Sequence, residues 1–311
     1  MAFTAMDVKA LREKTGVGMM ECKKALTEAD GDMDKAIDFL RERGLAAAEK
    51  KSARIAAEGV VYTYYDEAAK KAVTVEVNSE TDFVAKNDKF MDFVKGVART
   101  IIATAPADVE ALCATAYDGT DRTVTETLND LILSIGENMK IRRFQQVEEQ
   151  NGFVASYIHA GGKIGVLVDV VTDVENDEIH EMAKNVAMQI AALKPQYVSD
   201  KEVSEEYIAH EKEILMAQIM NDPKESQKPE KVIAGMIQGR IKKELKEICL
   251  LDQVYVKAED GKQSVAQYVA QVAKANNATV AVKGFVRFET GEGIEKKEEN
   301  FAEEVAKQMN A

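Results

Sequence analysis

The chain has 311 residues, enough for about two domains, and its 46% hydrophobic content can bury a sizeable core. Forty-one Lys and Arg against 54 Asp and Glu leave a formal charge of −13. That charge argues against a general binder of nucleic acid or membrane surface, because such partners are held by clustered cations. The cysteines Cys22, Cys113 and Cys249 lie far apart with no CxxC pair, so a disulfide framework or a cysteine-rich zinc site is not expected and a reducing cytoplasm fits.

The chain opens Met1-Ala-Phe-Thr-Ala-Met-Asp-Val-Lys-Ala10, without an apolar stretch after a basic one, and predicts no secretory signal. No run of about 18 apolar residues follows anywhere, so no membrane span is expected. Residues 5–44 read as three short helices. Val8 and Leu11 stripe the first, which ends at the glycines of Thr15-Gly16-Val17-Gly18. Met19, Met20, Cys22, Ala25 and Leu26 make the second face, and Asp32 caps a third helix whose face is Ala36, Ile37 and Leu40, before Gly44. Residues 45–57 are rich in helix formers but weakly apolar and read as an exposed helical linker.

An internal repeat follows. Gly59-Val-Val-Tyr-Thr-Tyr64 matches Gly152-Phe-Val-Ala-Ser-Tyr157, and Val73-Thr-Val-Glu-Val77 matches Val166-Leu-Val-Asp-Val170. Asn87-Asp88 and Asn176-Asp177 then cap helices whose apolar residues recur at helical spacing: Phe90, Phe93, Val94 and Val97 in one, Ile179, Met182, Ala183, Val186 and Ile190 in the other. Each copy predicts strand, turn, strand, loop, helix, an α+β unit with its helix on one sheet face. Between second strand and helix, copy one spans Asn78 to Asp88 and copy two only Val171 to Asp177, four residues fewer. The extra residues are Thr81-Asp82-Phe83-Val84. Phe83 there either turns inward to plug the helix–sheet seam or stands out as an aromatic anchor for a partner.

Leu128, Leu131, Ile132 and Ile135 define a helix that stops at Gly136, and 141–147 reads as a further strand. Residues 200–250 predict an antiparallel helical hairpin: Ile208, Leu215 and Ile219 mark one arm, and Ile233, Ile237, Ile241, Leu245 and Ile248 the other. A polar turn with two prolines, 221–229, joins them. A helix from Ser264, a strand over 279–288 and a final helix around Phe301 to Gln308 complete the chain.

Motifs of covalent chemistry are missing. His159, His180 and His210 are the only histidines. His180-Glu181-Met-Ala-Lys184 has Lys184 where a zinc-protease helix needs its second histidine, and Gly16-Val-Gly-Met-Met-Glu21 has Glu21 where a dinucleotide loop needs its third glycine. Neither a GxxxxGK[ST] phosphate loop nor a GxSxG elbow occurs. The chain reads as a protein that acts by binding rather than as an enzyme.

Leu11-Arg-Glu-Lys-Thr-Gly-Val-Gly-Met-Met-Glu-Cys-Lys-Lys-Ala-Leu26, Glu80-Thr-Asp-Phe-Val-Ala85, Ile135-Gly-Glu-Asn138, the segment 156–166 and Arg287-Phe-Glu-Thr-Gly-Glu-Gly-Ile-Glu295 together resemble bacterial translation elongation factor Ts over nearly the whole chain. The resemblance implies a guanine nucleotide exchange factor that binds elongation factor Tu in its GDP-bound and nucleotide-free forms, with no cofactor or metal of its own. It also implies no direct contact with nucleic acid or membrane, and a cytoplasmic location. The fold it implies is a ubiquitin-associated-like module (1–45), the linker (46–57), and a core N-subdomain (58–148). A core C-subdomain (149–199 and 251–290), an inserted coiled-coil hairpin (200–250) and a C-terminal helical module (291–311) follow. It places Phe83 and Asp82, with Thr81 and Val84 of the same motif, against the partner's GTPase domain beside the helix supporting its magnesium site. Ile135, Gly136 and His159 share that contact face, Lys23 touches the GTPase domain, and Met236 with Ile237 contacts it or a neighbouring domain. Residue chemistry alone leaves other roles open: a solvated lysine for Lys23, a turn residue for His159, hairpin seam for Met236 and Ile237. Ser79 departs from the cysteine that many members carry. The rival reading is a helical binding adaptor without exchange activity.

Overall fold

The computed structural model describes residues 3–295; the helix expected around Phe301 to Gln308 lies outside them. Three helices come first: α1 (Ala5–Thr15), α2 (Met19–Glu28) and α3 (Met33–Lys51). Thr4 closes a capping box with Asp7, α1 stops at left-handed Gly16 (φ 70°), and the Asp32 carboxylate accepts from the N–H groups of Asp34 and Lys35, satisfying donors that a helix start leaves free. Leu11, Cys22, Ala25, Leu26, Ala36 and Leu40 fill the small core between them. The third helix does not end near Gly44. It continues to Lys51, carried by the helix formers Leu45-Ala-Ala-Ala-Glu-Lys-Lys51, and Gly44 sits buried inside it facing the Asn129 carbonyl of the helix that precedes the third strand.

The body contains two three-stranded antiparallel sheets. The first comprises β1 (Glu58–Asp66), β2 (Lys71–Ser79) and β3 (Met139–Glu148), in that order. Between β2 and β3 run α4 (Asp82–Ala85), α5 (Asp88–Thr104), α6 (Val109–Ala114) and α7 (Val124–Ile135). The second sheet is formed by β4 (Gly152–His159), β5 (Ile164–Thr172) and β6 (Val280–Glu289). Its covering helix is α8 (Asp177–Leu193). The hairpin arms α9 (Glu205–Asn221) and α10 (Glu230–Ile248), then α11 (Val265–Ala275), come before β6.

The repeat extends into the third strand. The pairing shifts register at the same place in both sheets, opposite Glu76/Val77 of β2 and Asp169/Val170 of β5, where the third strands carry one extra residue, Arg142 in β3 and Lys283 in β6. The apolar faces of α5 and α8 each cover the outer face of one sheet. The inner faces meet through Val61, Ala72, Val154, Leu167, Val286 and Phe288. The order is therefore helix, sheet, sheet, helix, and the middle strands are buried on both sides, which is why β5 runs Val166-Leu-Val168 without a break while β2 buries Thr74, Glu76 and Asn78 beside its valines. Gly165 is required there: a Cβ would lie 2.4 Å from Val61 Cγ1. A backbone bond stitches the sheets together, Val61 N–H of β1 donating to the Gly162 carbonyl in the turn between β4 and β5 (2.7 Å).

In the hairpin, Ile219, Ile233, Ile237 and Ile241 are buried, with Ile208, Leu215, Met236 and Leu245 packed against them. Arg240 grips Glu225 in the turn (2.7 and 2.9 Å). Among the described residues, no helix is long and apolar enough to cross a membrane.

Candidate functional site

The four residues that distinguish the first repeat from the second lie at α4, a single helical turn. Thr81 is its N-cap, extended at φ −124° and ψ 158°, with Oγ1 accepting from Val84 N–H (3.4 Å). Consecutive residues on a helix point about 100° apart. Val84 turns into the core under the sheet and is 6% exposed, and Phe83 beside it turns out to solvent at 81%. Of the two directions open to Phe83 in the sequence, the outward one is adopted, and the ring is not a plug. Asp82 is half-buried; a hydrogen bond from Lys86 (2.8 Å) and that lysine's charge hold its carboxyl below the usual range, helped by the charge of Lys163.

The turn is fastened on three sides. Glu137 accepts from Thr81 twice, its Oε2 from the N–H (3.0 Å) and its Oε1 from the hydroxyl (2.7 Å). Ser79 Oγ donates to the Thr81 carbonyl (2.9 Å), so this serine braces the loop. Glu80 accepts from Asn138 N–H (2.5 Å) and pairs with Arg54 (3.4 Å), and Asn138 Nδ2 donates to the Arg54 carbonyl (2.7 Å). Residue 54, the stretch 79–81 and the pair 137–138 are thus knotted together. Charge-assisted bonds of this kind are shorter and stronger than neutral ones. Sequence reasoning missed Glu80, Glu137 and Asn138 as individuals. The available signal was that they lie inside the two motifs whose other members were chosen.

The remaining expected residues fall into groups. Ile135 and Gly136 end α7, half-buried and exposed respectively, with Gly136 as left-handed cap (φ 91°) directly before Glu137. His159 is exposed at the end of β4, its Nδ1 3.0 Å from the Tyr157 hydroxyl. The turn after it reaches the first sheet through Lys163, which pairs with Glu58 of β1. Glu58 faces Ser79 across the strands, which brings the His159 turn to the same end of the body as α4. Lys23 is exposed on α2, whose start also exposes Met19 and Met20. The preceding loop is held to the body at Gly16, whose carbonyl accepts from Lys89 Nζ (2.9 Å) and Ser134 Oγ (3.3 Å). Val84 and Ile237 face inward, into the helix–sheet core and the hairpin seam, and Met236 is half-buried against that seam. Their observed environments are packing, because each lies on the apolar face of its own helix. Among the described residues, no group of three or more His, Cys, Asp or Glu side chains is placed to hold a metal ion.

Comparison with known proteins matches residues 80–292 to the family model described as "Elongation factor TS". The chain belongs to the elongation factor Ts family. A relative named elongation factor Ts in Clostridium botulinum is 51% identical over 306 residues, covering 98% of this chain and 99% of its own length. Another of that name in Clostridioides difficile is 52% identical over 307 residues, 98% of each chain. One in Clostridium perfringens is 51% identical over 304 residues, again 98% of both. Membership gives the chain a role in translation elongation. The matched span begins at Glu80, in the braced turn, and ends at Glu292, beyond the last strand of the second sheet.

Proposed function

We propose that the chain is a guanine nucleotide exchange factor for elongation factor Tu, acting in the cytoplasm by binding and without covalent chemistry. The observation that carries this reading is Phe83: a large aromatic, 81% exposed, on a turn fixed by carboxylate bonds. An exposed aromatic normally loses free energy in water. Holding one rigidly outward fits a residue that gains its burial in another protein.

Exchange is a linkage. A factor that weakens nucleotide binding is itself bound less tightly by the loaded partner, by the same coupling free energy. Acceleration by about four decades corresponds to about 5.5 kcal/mol. Burying one phenylalanine contributes about 1.5–3 kcal/mol. Phe83 therefore acts as a wedge only when a broader surface holds the two proteins together. In this reading Asp82, Ile135, Gly136 and His159 extend the contact around the wedge. Lys23 and the exposed methionines of the N-terminal module grip a second point, and the hairpin beside Met236 gives a third. Val84 and Ile237 serve as anchors beneath the contact surface. Phe83 presses the helix beside the partner's magnesium site, metal and phosphate contacts loosen, GDP leaves, and GTP displaces the factor.

The test is release of fluorescent GDP from loaded elongation factor Tu. Fast release at substoichiometric amounts of the chain is expected. Tight binding without acceleration would replace exchange by the adaptor reading.

A further inference from the structure

The double acceptance at Thr81 has a meaning beyond holding a loop together. Thr81 is the last residue before the turn that bears Phe83, and its backbone direction sets where that ring points. Its N–H and its hydroxyl both end on one carboxylate, that of Glu137, which lies 56 residues further along the chain. Glu137 itself follows the left-handed Gly136, so its backbone direction is fixed by the end of α7. Among the described residues, no other charged group is bonded to Thr81: its carbonyl takes the Ser79 hydroxyl, and its Oγ1 is the weak 3.4 Å cap of Val84 N–H. The carboxylate is half-buried, so water competes with it for the threonine only in part.

We propose that Glu137 is a positioning residue for exchange: without facing the partner as a wedge itself, it sets the fraction of molecules whose Phe83 is presented outward in the competent direction. This rests on the exchange reading above. Molecules with the ring misdirected still bind through the rest of the contact surface but do not drive release, so the population shift shows in release more than in binding. Loosening Thr81 should lower the competent fraction while the remaining contact surface stays in place. The result differs from that of removing Phe83: the ring is present but wanders.

The chain contains no tryptophan, so Phe83→Trp introduces a single fluorescent reporter at the tip. Time-resolved anisotropy of that indole is compared with Glu137 intact, in Glu137→Ala and in Glu137→Gln. Catalysed GDP release at saturating factor, and affinity for nucleotide-free partner, are measured separately on variants that keep Phe83. The expected result is faster local motion of the reporter in Glu137→Ala and release slowed by about tenfold, the effect of losing a charge-assisted bond from the competent population. Binding should weaken by less than release, and Glu137→Gln, which keeps one acceptor oxygen, should recover part of both losses. Should Glu137→Ala fold poorly, Thr81→Val removes the hydroxyl leg together with the weak Val84 cap, keeps the N–H leg to Glu137, and is expected to show the same pattern at smaller size. Unchanged motion of the reporter, or equal losses in binding and release, overturns the proposal. Failure of the unaltered chain to release GDP would sink the exchange reading instead, and the anisotropy would still decide whether Glu137 positions the ring.

Discussion

Replacing Asp169 by Asn should stabilise the protein, and by an amount that depends on pH in a known direction. Asp169 and Glu76 occupy the same place in the two repeats, on the central strand opposite the bulge of the third strand. Burial would raise both carboxyls. For Glu76 the opposing bonds win: Gly291 N–H (2.8 Å), Asn78 (3.1 Å), Arg143 (2.7 Å) and Arg142 (3.0 Å) hold it below the ordinary range. Asp169 leans on Lys283, at 3.5 Å, and shares it with Glu149, which takes the closer bond of 2.6 Å; among the described residues its Oδ1 has no hydrogen-bond partner. Burial, with the charge of Glu149 adding to it, pushes Asp169 from 3.8 up to about 6. An acid whose folded value is raised lends its full stability below the unfolded value and loses it as pH climbs through the folded one. The loss here falls between about pH 4 and pH 6 and amounts to about 3 kcal/mol, from 1.36 kcal/mol per pH unit. Asn cannot ionise, so Asp169→Asn should match the native chain near pH 4 and exceed it by about 1–3 kcal/mol at pH 7.5. Urea unfolding of both proteins across that range measures the difference. A difference that does not vary with pH, or a less stable Asn variant at pH 7.5, would refute the reasoning.

Glu76→Ala should act the other way, costing about 3–5 kcal/mol in the same urea assay, because it strands two arginines and the Gly291 N–H around a wholly buried site; a loss below about 1 kcal/mol would contradict this. Gly165→Ala forces a methyl to within 2.4 Å of Val61 Cγ1 and should cost about 1–3 kcal/mol by wedging the sheets apart. Adding Val61→Ala should recover part of that loss, and simple additivity of the two would show that the contact is not the cause.

Much of this architecture can be read from local chemistry. The repeat is visible because burial on both faces of β2 and β5, and the apolar stripes of α5 and α8, impose the same residue types twice. Asn87 and Asn176 cap their helices, and Ser264 starts α11 with a capping box. Gly44 misleads because a glycine buried against α7 inside a helix looks, in sequence, like one that ends a helix. The meeting of the sheets is hidden for a different reason: a strand buried on both faces does not say what covers each one. The direction of Phe83 is open in the sequence since both directions suit an aromatic in a loop, and the choice is made by Val84 taking the core and Glu137 taking Thr81. Such contacts between distant segments leave no periodic trace. The seam residues Ile219, Ile233, Ile237 and Ile241 show the converse, helical spacing that reports packing first.

The most direct test of the account is stopped-flow release of fluorescent GDP from elongation factor Tu by the Phe83→Ala protein at saturating concentration, alongside its affinity for the nucleotide-free partner. Loss of a ring worth about 1.5–3 kcal/mol on burial predicts release slowed about ten- to a hundredfold, with binding weakened distinctly less. Equal loss in both, or release at the unaltered rate, would contradict a wedge at residue 83.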